Sequence, residues 1–236
     1  MTTESGLVVA TSAAVSSFVS RYAWWLLAAH GAAASLLYSV AAHYPIRVPW
    51  IVPSSRLDAQ IPMLPWSAWV YASYVLLLPA LVLFGRHRPG FARIFATGVS
   101  CALLNALIYI LFPTSLAERT IAPAGTLLAT IQALDTTLCA LPSGHVALPT
   151  SLTVAAWLLS RTHHAWSRAT YVLIPWTVAL SASTLLTKQH YIVDVAAGAA
   201  YGTLVAASVA ALSVKRRPSR EAPGCAGITG ALDRAA

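Results

Sequence analysis

The pair of residues best suited to chemistry is His190 and Asp194, within Thr187-Lys188-Gln189-His190-Tyr191-Ile192-Val193-Asp194. Residues four apart share one face of a helix. Asp194 falls inside an apolar run, where an ionised carboxylate is costly without a partner. An imidazole N–H is a suitable partner. The carboxylate would hold the ring in one tautomer and stabilise it once charged, leaving the other ring nitrogen free to attack an electrophile. The same pair could instead serve only to orient a helix.

A second segment, Leu141-Pro142-Ser143-Gly144-His145, stands just ahead of another apolar run. Pro142 and Ser143 are good helix-start residues, and Gly144 lets the backbone come close to a ligand. The free N–H groups of a helix N-terminus favour a phosphate, and His145 would stand at the edge of such an anion pocket, able to donate a proton. An ordinary capped helix start with an interfacial histidine fits the same residues.

The elements that position these groups must be read in an unusual solvent. Of 236 residues, 58% are hydrophobic and 9% charged, against about 25% charged in soluble proteins, and the mean hydropathy is +0.68. Too little charge is available to cover a soluble surface, which points to a bilayer. The net charge of +8 sits in short clusters such as Arg86-His87-Arg88 and Lys215-Arg216-Arg217. This pattern sets membrane orientation and argues against a nucleic-acid partner. Cys101, Cys139 and Cys225 fit no metal motif.

A spanning helix needs about 20 mostly apolar residues. Six stretches meet or approach this: 22–42, 66–84, 91–112, 144–160, 169–187 and 191–214. The expected fold is therefore all-α, an integral membrane bundle of six transmembrane helices over residues 21–214. It is preceded by a flexible or interfacial segment (1–20) and followed by a flexible basic tail (215–236). The proline-rich stretch 43–65 reads as an irregular loop, and Ile121 to Leu134 as a short interfacial helix. Gly198 and Gly202 form a small-residue face for close helix packing. With both termini on one side, that side collects eleven Lys and Arg residues and the other four, Arg47, Arg56, Arg119 and Lys188. Both termini are then cytoplasmic, in a cell (inner) membrane, and His145 and His190 share the extracytoplasmic face.

Taken together, the two segments resemble the type 2 phosphatidic acid phosphatase superfamily. Its P-S-G-H motif is matched by Pro142 to His145. Its S-R-x5-H-x3-D motif is matched by Ser183, His190 and Asp194, with Thr184 in the arginine position. The K-x6-R-P motif is absent: Arg88-Pro89 has Leu81 in place of the lysine, and Arg88 lies on the expected cytoplasmic side. Phe112-Pro113-Thr114 and the T-K-x-H-Y-x-x-D form of Thr187 to Asp194 look closer to the branch of inositol phosphorylceramide and sphingomyelin synthases.

The resemblance implies a catalytic set of His190, His145 and Asp194, acting on a lipid phosphate through a phosphohistidine, without metal or other cofactor. It implies a phosphate site at Ser143 and Gly144. Arg119 and Lys188 are the outward cations nearest the motifs, and with Thr184 they are expected to stand in for the absent motif cations. The activity expected is that of a lipid phosphate phosphatase. A phosphotransferase passing a phospho-headgroup to an alcohol is the alternative, and a non-catalytic transporter is the more distant one. Asp135 could line the same surface, although a loop role is the first reading.

Overall fold

In the computed structural model, which describes residues 13–215, a helix over residues 13–21 leads into α1 (Ala23–His43). There follow β1 (Trp50–Val52), α2 (Arg56–Gln60), α3 (Pro65–Gly85), α4 (Phe91–Leu111), β2 (Thr114–Leu116) and α5 (Leu127–Leu134). The chain closes with α6 (Gly144–Ser160), α7 (Ser167–Leu186) and α8 (Ile192–Lys215). The basic tail expected beyond Lys215 and the first twelve residues lie outside the described residues.

Among the described residues, five helices are long and apolar enough to cross a membrane: Ala23–His43, Pro65–Gly85, Phe91–Leu111, His164–Leu186 and Ile192–Ser213. These mark an integral membrane protein. The fourth stretch in the sixfold expectation is α6, whose 17 residues span only about 26 Å at 1.5 Å per residue. A hydrocarbon core is about 30 Å thick. Yet α6 is the centre of the bundle, packed against α4, α7 and α8. Its residues Ala147, Leu152, Ala156 and Leu159 are almost wholly inside the protein.

α6 and α8 pack in close contact. A β-carbon on Gly202 would stand 2.2 Å from the carbonyl oxygen of Ala147, and one on Gly198 2.6 Å from that of Ser143. The two glycines, four apart, therefore let one backbone lie on the other, as their spacing predicts. Prolines interrupt three helices without breaking them. In α3 the helix tightens into a 3-10 turn at Ser73–Leu76, just ahead of Pro79, which cannot donate to the carbonyl one turn earlier.

The fold is mostly helical, as expected, and the reading of the 43–65 stretch needs correction. Within the stretch read as an irregular loop, β1 pairs in parallel with β2, Trp50 with Thr114 and Val52 with Leu116. Ser115 in turn bridges to Leu138. Periodicity reports neighbours along the chain, and this pairing joins strands some sixty residues apart. Val52, Leu116 and Ala140 bury together against Leu141 and Tyr191, so the connections are sewn over the end of the bundle where α6 and α8 begin. The interfacial helix expected over 121–134 is shorter, starting at Leu127 after a Thr126 cap that accepts the Ala129 N–H.

Candidate active site

The link between α7 and α8 carries His190. It turns through Lys188, whose φ of +55° lies in the left-handed region, uncommon for a residue with a side chain. The N–H groups of Gln189 and His190 both donate to the carbonyl of Thr184, at 3.1 and 3.3 Å, which folds the link back onto the end of α7. Asp194 then caps its own helix, one carboxylate oxygen accepting the Tyr191 N–H at 2.8 Å. That oxygen lies 3.6 Å from Nδ1 of His190, in ion-pair range but longer than a hydrogen bond. Both residues are buried, and His190 Nδ1 and the second Asp194 oxygen have no hydrogen-bond partner. An acid and an imidazole thus face each other with bonding capacity unused on both sides.

The start of α6 is fastened to the same place. Ser143 N–H donates to the carbonyl of Asp194 at 3.1 Å, so the two sequence segments meet directly. Gly144 N–H donates to the Tyr109 hydroxyl at 3.1 Å, and that hydroxyl donates to the Pro142 carbonyl at 2.6 Å. A side chain at Gly144 would press on the Asn105 amide at 2.9 Å. The Ser143 hydroxyl is fully buried without a partner, a state that costs free energy unless something is bound there.

His145 is gripped by α3. Its ring stacks on Tyr71 at 4.1 Å between centroids and leans on Tyr74 at 4.5 Å. Its Nδ1 lies 3.2 Å from the Tyr71 hydroxyl, which leaves Nε2 as the nitrogen not engaged there. The rings of His145 and His190 are 6.1 Å apart, and both line one cavity of about 470 Å³ with Gly144, Gln189, Asn105 and Asp135.

The three residues proposed to supply the absent cations and their support are placed differently from one another. Arg119 reaches the site at one remove. One guanidinium nitrogen donates to the carbonyls of Gln132 and Asp135, and the other to the side-chain oxygen of Gln189 at 3.0 Å, beside His190. Lys188 does not join the cavity lining. Its ammonium donates to the backbone carbonyl of Asp58 at 2.6 Å, because the left-handed turn carries its side chain toward α2. The Thr184 hydroxyl donates to the Ser181 carbonyl in its own helix, and only its backbone oxygen serves the His190 link.

Sequence reading missed the tyrosines and Asn105. Tyr71 and Tyr74 are three apart in one apolar span, and Asn105 and Tyr109 four apart in another. Polar groups on one face of a membrane helix are a functional signal that the pattern of hydrophobic runs alone does not use. Asp135 lines the cavity and accepts the Tyr38 hydroxyl at 2.6 Å, so it is more than a loop residue. Among the described residues, no three His, Cys, Asp or Glu side chains converge as a metal site would require.

Comparison with known proteins gives one match: the sequence profile of the PAP2 superfamily fits residues 35–209. That range takes in both histidines, Asp194 and most of the helices around them. No curated protein and no solved structure matches the chain. With three-quarters of its length under that profile, the chain belongs to the PAP2 superfamily, a group of phosphatases and phosphotransferases.

Proposed function

We propose that this protein hydrolyses the phosphate ester of a membrane lipid, with His190 as the nucleophile. The observation that carries the proposal is the pair of imidazoles 6.1 Å apart on one cavity, one of them backed by a buried carboxylate. Nδ1 of His190 faces Asp194, so Nε2 attacks phosphorus. The new P–N bond forms as the ester P–O bond breaks, and the leaving alkoxide takes a proton from Nε2 of His145. Asp194 closes on the charged ring and balances it. Water then attacks the phosphohistidine and gives a proton back to His145. The P–N bond breaks, inorganic phosphate leaves and His190 is restored. The Gly144 N–H, released from the Tyr109 hydroxyl, and the unsatisfied Ser143 hydroxyl just behind the cavity wall hold phosphate oxygens once substrate opens the site, and Arg119, through Gln189, supplies positive charge for the transition state. Lys188 and Thr184 support the site by holding the His190 link.

In the membrane, α6 completes a six-span bundle by burying itself among longer neighbours. The eleven-to-four division of Lys and Arg puts the termini in the cytoplasm and this site on the outer face of the cell membrane.

A second reading is favoured by the lining of the cavity, which takes in Tyr38, Ser39 and Asp135 as well as the two histidines. An alcohol placed there would replace water as acceptor, making the protein a phosphotransferase. The experiment offers membranes phosphatidic acid, lysophosphatidic acid, an isoprenoid diphosphate and phosphosphingolipids, with and without inositol. Released phosphate is measured against headgroup-exchanged lipid. Phosphate release lost on the order of 1,000-fold in His190→Ala and His145→Ala supports the phosphatase, and exchanged lipid supports the transferase. Wild-type turnover in His190→Ala refutes both. Solute flux in liposomes with no reaction on any lipid would leave a transporter.

A further inference from the structure

We infer that Asp58, far from both motifs in sequence, is a positioning residue that clamps the His190 link from its two sides. The inference rests on the proposed phosphoester chemistry of His190.

Asp58 belongs to the short helix α2 and is 6% exposed. Its backbone carbonyl accepts the Lys188 ammonium at 2.6 Å, and one carboxylate oxygen accepts the Ile192 N–H at 2.8 Å. These residues stand two before and two after His190, so a single residue grips both flanks of the candidate nucleophile. The second carboxylate oxygen accepts the N–H and hydroxyl of Ser55 at 2.7 and 2.6 Å, completing a capping box that fixes the orientation of the acid. Six residues further on, Leu64 N–H donates to the carbonyl of Leu186 at 2.8 Å. The segment 55–64 therefore holds the link at positions 186, 188 and 192. Asp58 is not among the residues lining the His145–His190 cavity, so it acts through the link and not on substrate.

The physical reason is plain at the start of α8. The first N–H groups of a helix have no partner within it, and a carboxylate there is favoured by the helix dipole. Asp58 satisfies Ile192 in this way, while Asp194 satisfies Tyr191. His190 and Asp194 ride on the turn so fixed, and their 3.6 Å separation must shorten for the acid to engage the ring. A misplacement of about 1 Å at a reacting group can cost about 100-fold in rate.

The test uses the full-length protein in detergent or liposomes, with the lipid phosphate that the wild type turns over. Asp58→Ala, Asp58→Asn and Ser55→Ala are compared. Asp58→Asn keeps an oxygen for the Ile192 N–H, while Ser55→Ala disturbs α2 and leaves the Ile192 bond. The expected result is kcat lowered about 30- to 100-fold in Asp58→Ala with KM within about twofold. Asp58→Asn should recover about tenfold of that loss, and Ser55→Ala should stay within about threefold of wild type. Amide exchange at residues 188–192 should quicken in Asp58→Ala more than in Ser55→Ala. If Asp58→Ala does not fold, Asp58→Asn against Ser55→Ala decides by the same two readouts, with Asp58→Asn expected to lose more kcat. A kcat near wild type in Asp58→Ala overturns the inference. So does a loss in Ser55→Ala as large as in Asp58→Asn. A wild type that turns over no phosphoester overturns the functional reading instead, and exchange at 188–192 then still decides whether the clamp exists.

Discussion

At the scale of single residues, the site is a set of groups fixed by neighbours that are remote in sequence. His145 is held by stacking on Tyr71 and by a contact with its hydroxyl, and His190 is placed by the carbonyl of Thr184 and by Asp194. Asp58 adds a pH dependence. Burial alone would raise its carboxyl, but hydrogen bonds from Ser55 and the Ile192 and Ser55 N–H groups, with the Lys188 charge nearby, outweigh burial and hold it below the usual carboxylate range. A carboxyl depressed in the folded state adds stability that is fully present above its ordinary value near 3.8 and lost as pH falls through the lower folded value. Melting in detergent should therefore fall as pH drops below about 4, and part of that fall should vanish in Asp58→Asn. A melting curve whose acid limb is the same in both proteins would contradict this. That His145, His190, Asp194, Ser143 and Gly144 come together was legible in the sequence because each lies in a short contiguous pattern with a chemical reason for its spacing. Asp58 and Tyr71 were not, because what matters about them is a contact across scores of residues. Lys188 shows the opposite failure: its nearness along the chain suggested a phosphate contact, and one left-handed residue turned it toward α2.

At the scale of elements, the site is made where α6 and α8 begin, and their separation sets it. Gly198 and Gly202 allow the two backbones to touch, and the Ser143-to-Asp194 hydrogen bond closes the contact at the site end. Gly202→Ala would push a methyl group into the Ala147 carbonyl. It should destabilise the fold by about 1–3 kcal/mol through overpacking and lower kcat with it. Gly31→Ala, where a β-carbon meets nothing within 4 Å, should leave melting unchanged or slightly raised, since alanine is the better helix former. Equal effects of the two substitutions on melting would show that the α6–α8 contact does not govern the site. This packing was readable from the four-residue spacing of small side chains. The pairing of β1 with β2 was not readable, since three-residue strands in proline-rich loops carry too short a pattern, and their partners are chosen by the folded bundle. The 17 residues of α6 fall short of a full span by length alone, and burial among longer helices relieves it of the need to match the bilayer by itself.

For the whole molecule, low charge and apolar runs point to a membrane, and the PAP2 superfamily profile over residues 35–209 points to phosphate ester chemistry. The structure adds that the two motif segments close on one cavity at one end of the bundle. The most direct test of the account is to trap the intermediate. The purified protein is mixed with a lipid phosphate labelled at phosphorus, quenched in alkali, where phosphohistidine survives and is acid-labile afterwards, and mapped by peptide mass spectrometry. The account predicts label on His190, greater in His145→Ala if breakdown slows more than formation, and absent from His190→Ala. Turnover of the lipid with label on another residue, or with none on His190 under single-turnover conditions, would contradict it.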